Sequence, residues 1–342
     1  MNKYLIIAPS WVGDMVMSQS LYRYLKICYP DCSIDIAAPK HCAELAKFMP
    51  EVNQAHILEF KHGEFGFFAR RKMAKSFKGK GYTHAIILPN SWKSALIPFF
   101  SSIKRRTGWH GEERFILLND RRRLNKKQYP LMIERFCALA IEKKAPLPNV
   151  LPYPKFGLKS DKARLIFDRY QLDSSQRIIA LCPGAEFGPA KKWPTRYYSE
   201  LAQYFIKNDY QVLLLGSPKD TDSTKEIAAS SKGKNIYDLA GKTSLEDAVY
   251  LLSACEHVVS NDSGLMHIAC AVDVPVTVIY GSTSDKFTPP LSKKAQSLFV
   301  EDLPCRPCFK RTCPLGHMKC MNDLTPNKVI QHFERQQQAR ES

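Results

Sequence analysis

The chain has 342 residues, 44% of them hydrophobic, with 18 Phe, 15 Tyr and 4 Trp; that is enough for two domains with full cores and excludes a disordered protein. The formal net charge is +17, and no run of about 18 apolar residues occurs, which excludes a membrane-spanning helix. The opening apolar stretch, Tyr4 to Ala8, is too short for a signal-peptide core and has no small-residue cleavage site, so the expected location is cytoplasmic.

Residues 1–155 carry 26 Lys and Arg against 12 Asp and Glu, and the remainder carries 24 against 21. The basic character therefore belongs to the first half, where strands are predicted at 4–8, 33–38, 55–59 and 84–88. Helices are predicted at 15–28, with Met17, Leu21, Leu25 and Cys28 on one stripe, and at 130–142. Strand–helix alternation predicts a doubly wound parallel sheet. In Ser10-Trp11-Val12-Gly13-Asp14, Gly13 tightens the loop after the first strand and sets Asp14 at the start of the next helix. There it is either a helix cap or a carboxylate available as a general base. The clusters Arg70-Arg71-Lys72, Lys104-Arg105-Arg106 and Arg121-Arg122-Arg123 imply an acidic partner: nucleic acid, an anionic membrane or a phosphorylated substrate.

Residues 144–160 hold four prolines and few periodic apolar positions, and are the expected linker. The second half has predicted strands at 177–182, 211–215, 256–260 and 275–280. Helices are predicted at 160–170, 195–208, 221–231, 244–254 and 264–271. This gives a first domain at 1–155, a second at 156–330 and a polar tail at 331–342. The stretch around Asn261-Asp262-Ser263-Gly264 is the most informative in the chain: a strand stops, a polar turn intervenes and an apolar helix begins at once. The first N–H groups of such a helix have no intrahelical partner and attract anions, phosphate above all. The loop Cys182-Pro183-Gly184-Ala185-Glu186, followed by Lys191 and Lys192, suits a diphosphate. Leu239 to Ser244 resembles the end of a P-loop but has Ile236 where the motif needs Gly. No G-x-G-x-x-G is present, which argues against a dinucleotide oxidoreductase, and no nucleic-acid-binding module is evident. Asp220-x-Asp222 is a D-x-D that helix capping explains as well as a metal does.

Seven of the eleven cysteines are scattered, mostly in apolar runs, and read as core residues. Cys305, Cys308, Cys313 and Cys320 fall within sixteen residues. They are consistent with a structural zinc or with reduced thiols.

Together these segments resemble the ADP-heptose:lipopolysaccharide heptosyltransferases of glycosyltransferase family 9 over nearly the whole chain. The resemblance is carried by PSWVGDMVMSQSLYRYLK at 9–26, LPNSWKSALIPFF at 88–100, RTGWHGEERFILLND at 106–120, CPGAEFGPAKKWP at 182–194, NDSGLMHIA at 261–269 and FTPPLS at 287–292. The second and third segments favour the members that add the second heptose of the inner core; transfer to a different heptose acceptor is the alternative. The resemblance implies a GT-B fold of two Rossmann-like domains facing a cleft, with acceptor on the first and nucleotide-sugar on the second. It implies inverting transfer that needs no metal, with Asp14 as general base and Lys192 on the donor diphosphate. Asp262, Ser263, Gly264 and His267 match its D-[ST]-G-x-x-H donor motif, and Gly184 and Ala185 lie in the diphosphate-side loop. The expected partners are ADP-heptose and an anionic lipopolysaccharide core on lipid A at the cytoplasmic face of the inner membrane. Lys93, Arg106 and Arg114 are the candidates for meeting that acceptor. Where a relative contacts the donor ribose with Glu, this chain has Lys219 and Asp220.

Overall fold

Short apolar runs buried on both faces form the centre of two parallel sheets, the arrangement in which such runs are stable. A computed structural model describes residues 2–60, 65–231 and 235–341, and the chain divides into two units, Met1–Gly157 and Leu158–Ser342. In the first unit the strands are β1 Lys3–Ile7, β2 Ser33–Ala38, β3 Gln54–Ile57, β4 His84–Ile87, β5 Arg105–Trp109 and β6 Asp120–Arg122, in the order β3-β2-β1-β4-β5-β6. In the second they are β7 Ile178–Cys182, β8 Gln211–Leu214, β9 Ile236–Asp238, β10 His257–Asn261, β11 Val276–Ile279 and β12 Ala295–Leu298, in the order β12-β11-β10-β7-β8-β9. All pairings are parallel. Counted within its own unit, each sheet has the same order, 3-2-1-4-5-6. The strand order reverses between β1 and β4 in one unit and between β7 and β10 in the other. Ligands of open α/β sheets bind at the carboxyl ends of the strands beside such a switch point.

Strands β5 and β6 were hidden in the sequence because they are charged. Asp120 makes them possible: its carboxylate pairs with Arg105 at 3.1 Å and with Arg122 at 2.7 Å, and accepts a hydrogen bond from Thr107 at 3.0 Å. Burial alone would raise the Asp120 pKa; the bonds and charge of Arg122, with Thr107 and Arg105, hold it below the usual carboxylate range. Arg105 also pairs with Glu142 at 2.9 Å. Two of the three basic clusters are thus partly neutralised within the fold.

The helix Val12–Cys28 buries nearly every residue from Met15 to Leu25, whereas Cys28, expected on its apolar stripe, is exposed. The proline-rich segment packs on the first unit through Gly157. Buried Gln19 brackets Lys155, accepting from its N–H at 2.9 Å and donating to its carbonyl at 2.8 Å. Phe156 stacks on Phe48 at 5.6 Å.

Of the polar stretch expected as a tail, residues 331–341 continue the helix Pro326–Glu341, whose Val329 and Phe333 are buried in the core of the second unit. Phe333 meets Phe205, His257 and Tyr210 edge-on, with centroids at 5.0, 5.3 and 6.0 Å. Phe333→Ala is expected to cost about 3–5 kcal/mol of stability in urea unfolding of the full chain; a change near zero would show that this helix is not part of the core.

Candidate active site

At the second unit's switch point, the turn after β10 faces the loop after β7, and Asn261 ties them together. Its amide donates to the Pro183 carbonyl at 2.7 Å, and its Oδ1 accepts from the Trp193 N–H at 3.3 Å and the Tyr198 hydroxyl at 3.1 Å. Asp262 adds an ionic tie. Its carboxylate, 4% exposed, meets Lys191 Nζ at 2.5 Å and accepts from Thr283 Oγ1 at 2.6 Å. Three loops, after β7, β10 and β11, therefore converge on one buried carboxylate. Ser263 then takes extended geometry (φ −144°, ψ 172°) as N-cap of the helix Gly264–Ala271, and its side chain does not cap that helix. The helix dipole and its first N–H groups remain available to an anion.

His267 lies in the same helix, 4% exposed. Burial lowers its pKa to about 4, with Lys191 adding to the effect and Asp262 opposing it, so the ring is neutral near pH 7.

Lys192 Nζ reaches Asp220 at 3.0 Å, and its side chain is one-third exposed. An ammonium has three donors, so this pairing leaves capacity for another anion. Asp220 is buried and also accepts from the Ser217 N–H at 3.0 Å and the Ser217 hydroxyl at 2.7 Å, closing a capping box. Capping, not a D-x-D metal pair, explains it. Its carboxylate also explains Gly184, since a Cβ there would sit 2.7 Å from Asp220 Cγ. Ala185 is buried beside it. Lys219, the other ribose candidate, is exposed and pairs with Glu186.

A zinc at the four clustered cysteines is not supported. All are free thiols, and among the described residues no group of three or more His, Cys, Asp or Glu is placed to hold a metal ion. Backbone N–H groups, that of Met318 first, draw the Cys313 thiol pKa down, while burial pushes that of Cys320 up. Their segment braces the loops after β7 and β11. The Arg311 carbonyl accepts from the Ala190 N–H at 3.0 Å, and the Phe309 N–H donates to the Ser282 carbonyl at 2.8 Å.

In the first unit, Asp14 lies after β1 in the first turn of the helix Val12–Cys28. Trp11, not Asp14, is the N-cap residue. Lys93 lies after β4 in the turn Trp92–Ala95. Both thus stand at the ligand-binding ends of their strands, on either side of the switch point. Arg106 does not: it is the second residue of β5, near the strand's amino end, and its donors go to the carbonyls of Leu117 at 2.8 Å and Ile103 at 2.7 Å. Arg114 is fully buried. It donates to the carbonyls of Pro89, at 2.7 Å, and Trp109, and to Asn90 Oδ1 at 3.3 Å. Burial lowers its pKa to about 10. It shapes the loop that carries Lys93 and does not meet solvent.

Twin sheets of this order, with an anion-seeking turn at the switch point of the second, define the GT-B class of glycosyltransferase fold. The glycosyltransferase family 9 (heptosyltransferase) profile matches residues 70–319. Lipopolysaccharide heptosyltransferase 2 of Salmonella typhimurium is 45% identical over 339 residues, covering 97% of each chain. The Escherichia coli protein of the same name is 44% identical over the same length and share. The structure of E. coli ADP-heptose lps heptosyltransferase II superposes with a TM-score of 0.89 at 42% identity, covering all of both chains. This chain belongs to glycosyltransferase family 9.

Sequence reasoning gave roles to Lys192, Asp262 and His267 and named Lys191 and Asn261 without one, but it missed Thr283. Its signal was available, since it lies just past the end of the predicted strand 275–280. Gly184→Ala is expected to displace Asp220 and Lys192 and to weaken ADP binding at least tenfold in calorimetric titration, with the fold retained; unchanged affinity would refute the coupling. For His267, the unfolded ring protonates near 6.5 and the native ring near 4. Between those values the unfolded state binds the extra proton, so stability is full above 6.5 and falls by up to about 3 kcal/mol as pH drops to 4. Thermal melts across this range should show a shallower slope for His267→Gln.

Proposed function

We infer that this protein transfers heptose from ADP-heptose to the first heptose of the lipopolysaccharide inner core, with the acceptor's lipid anchored in a membrane. The observation that carries the reading is end-to-end similarity to enzymes named heptosyltransferase 2, joined to an uncapped helix start tied to Lys191, the neighbour of Lys192, in the second unit. A different heptose acceptor is less supported, because the relatives matched over 97% of both chains at 44–45% identity carry that name.

In this reading the first unit binds the acceptor and the second binds the donor. Asp14 takes the proton from the attacking hydroxyl as that oxygen bonds to the anomeric carbon of the donor. The bond from that carbon to the diphosphate oxygen breaks, ADP leaves with the electron pair, and the configuration inverts. Lys192 and the N–H groups of residues 263–265 stabilise the charge gathering on the diphosphate. Asp262 acts by holding Lys191 and the turn, and Gly184 and Ala185 by letting the loop approach. His267, buried and neutral, packs behind the turn. Lys93 is the acceptor-side cation that fits by position, whereas Arg106 and Arg114 serve the fold. These donors supply the leaving-group stabilisation that a divalent cation gives other transferases, so the reaction proceeds without one.

Incubation with ADP-heptose and a mono-heptosylated core is expected to yield a second heptose. EDTA should leave the rate unchanged. Asp14→Asn should lower kcat by about 10²–10⁴-fold, and Lys192→Ala by about 10²–10³-fold. Near wild-type turnover by Asp14→Asn would overturn the base assignment, and rescue of an EDTA-treated sample by magnesium would overturn the metal-free mechanism.

A further inference from the structure

We propose that the helix Phe67–Phe77 docks this protein on an anionic lipid bilayer; this rests on the reading that the acceptor is lipid-anchored. Phe68, Arg71, Lys72 and Lys75 recur at spacings of three and four, so they project from one side of the helix. All four are exposed, and Phe68 is 81% exposed. The opposite side is fixed in place: Arg70, Ala74 and Phe77 are buried, and Phe67 and Met73 pack on the core of the first unit. The outward stripe touches the core only at its margin, where Phe68 meets Phe67 edge-on at 5.5 Å. Arg71 rests only loosely on Phe100, at 5.9 Å.

Charge and chemistry choose the occupant. No Asp or Glu occurs from Phe65 to Gly111, a stretch with ten Lys and Arg. A cationic stripe attracts the negative surface of an anionic leaflet. The aromatic ring within it favours a bilayer over a soluble anion, since a ring beside cations suits the boundary between headgroups and acyl chains. The position of the helix supports the same occupant. Half-exposed Phe65, just ahead of the helix, stacks on Trp92 at 5.7 Å, in the turn that carries Lys93. Arg70 Nε donates to the Phe65 carbonyl at 2.7 Å. Docking through this helix would hold the Lys93 turn close to the membrane surface where a lipid-anchored sugar is presented.

The test is co-sedimentation of the full chain with vesicles of phosphatidylcholine, with and without phosphatidylglycerol. The wild type is expected to sediment with the anionic vesicles only. Arg71→Gln/Lys72→Gln/Lys75→Gln and, separately, Phe68→Ser are each expected to lower that partition about tenfold. Neither should change transfer to a water-soluble, de-acylated acceptor. Wild-type partition by both variants, or absence of wild-type binding to anionic vesicles, would overturn the proposal. Loss of binding by the triple variant alone, with Phe68→Ser unaffected, would overturn bilayer docking in favour of a plain anion surface. The vesicle measurement does not use the transfer reaction. A wild type unable to glycosylate the soluble acceptor would contradict the proposed reaction separately.

Discussion

A buried carboxylate organises the ligand end of the second unit. Asp262 is 4% exposed and would be costly to keep charged there without partners. Lys191 and Thr283 supply them, and each comes from a different loop. Asn261, its neighbour, joins the same loops through neutral hydrogen bonds. Two adjacent side chains at the end of β10 therefore hold the turn that leads into the helix starting at Gly264. Lys192, one residue beyond Lys191, is delivered to its place by the same tie. The site is prepared by interactions within the protein, the condition under which fixed dipoles and charges favour charge development most.

The first unit handles its charge differently. Its surplus of cations would suggest one broad basic surface, yet much of it is internal. Arg105 and Arg122 converge on Asp120, Arg114 is sunk among carbonyls, and Arg106 caps the chain around Ile103 and Leu117. Arginine suits such work because its planar fork satisfies several carbonyls at once. Exposed cations gather on the helix Phe67–Phe77, which itself contains no acidic residue.

The central strands were legible because parallel strands buried on both faces read as unbroken apolar runs; β2 and the helix Gly264–Ala271 have the bounds expected. Strands β5 and β6 were not, because the residues that stabilise them are charged and their partners lie up to 37 positions away. Short edge strands β9 and β12 carry too little periodicity to stand out. In the candidate site, position after a strand led to Asp14, Gly184 and Asp262, and the structure places all three beyond the carboxyl ends of their strands. Basic character alone was a poor guide, since Arg114 and Lys93 look alike in sequence and differ entirely in burial. For the cysteine cluster, spacing suggested a zinc that the structure does not support, and its segment packs as a brace on Ala190 and Ser282.

The account rests on the second unit being the donor half, built around Asp262. Calorimetric titration of the full chain with ADP tests this most directly. Asp262→Asn should weaken ADP binding at least tenfold while Asp14→Asn binds ADP like the wild type. Unchanged affinity in Asp262→Asn, or an equal loss in Asp14→Asn, would contradict the proposed assignment of donor binding to the second unit.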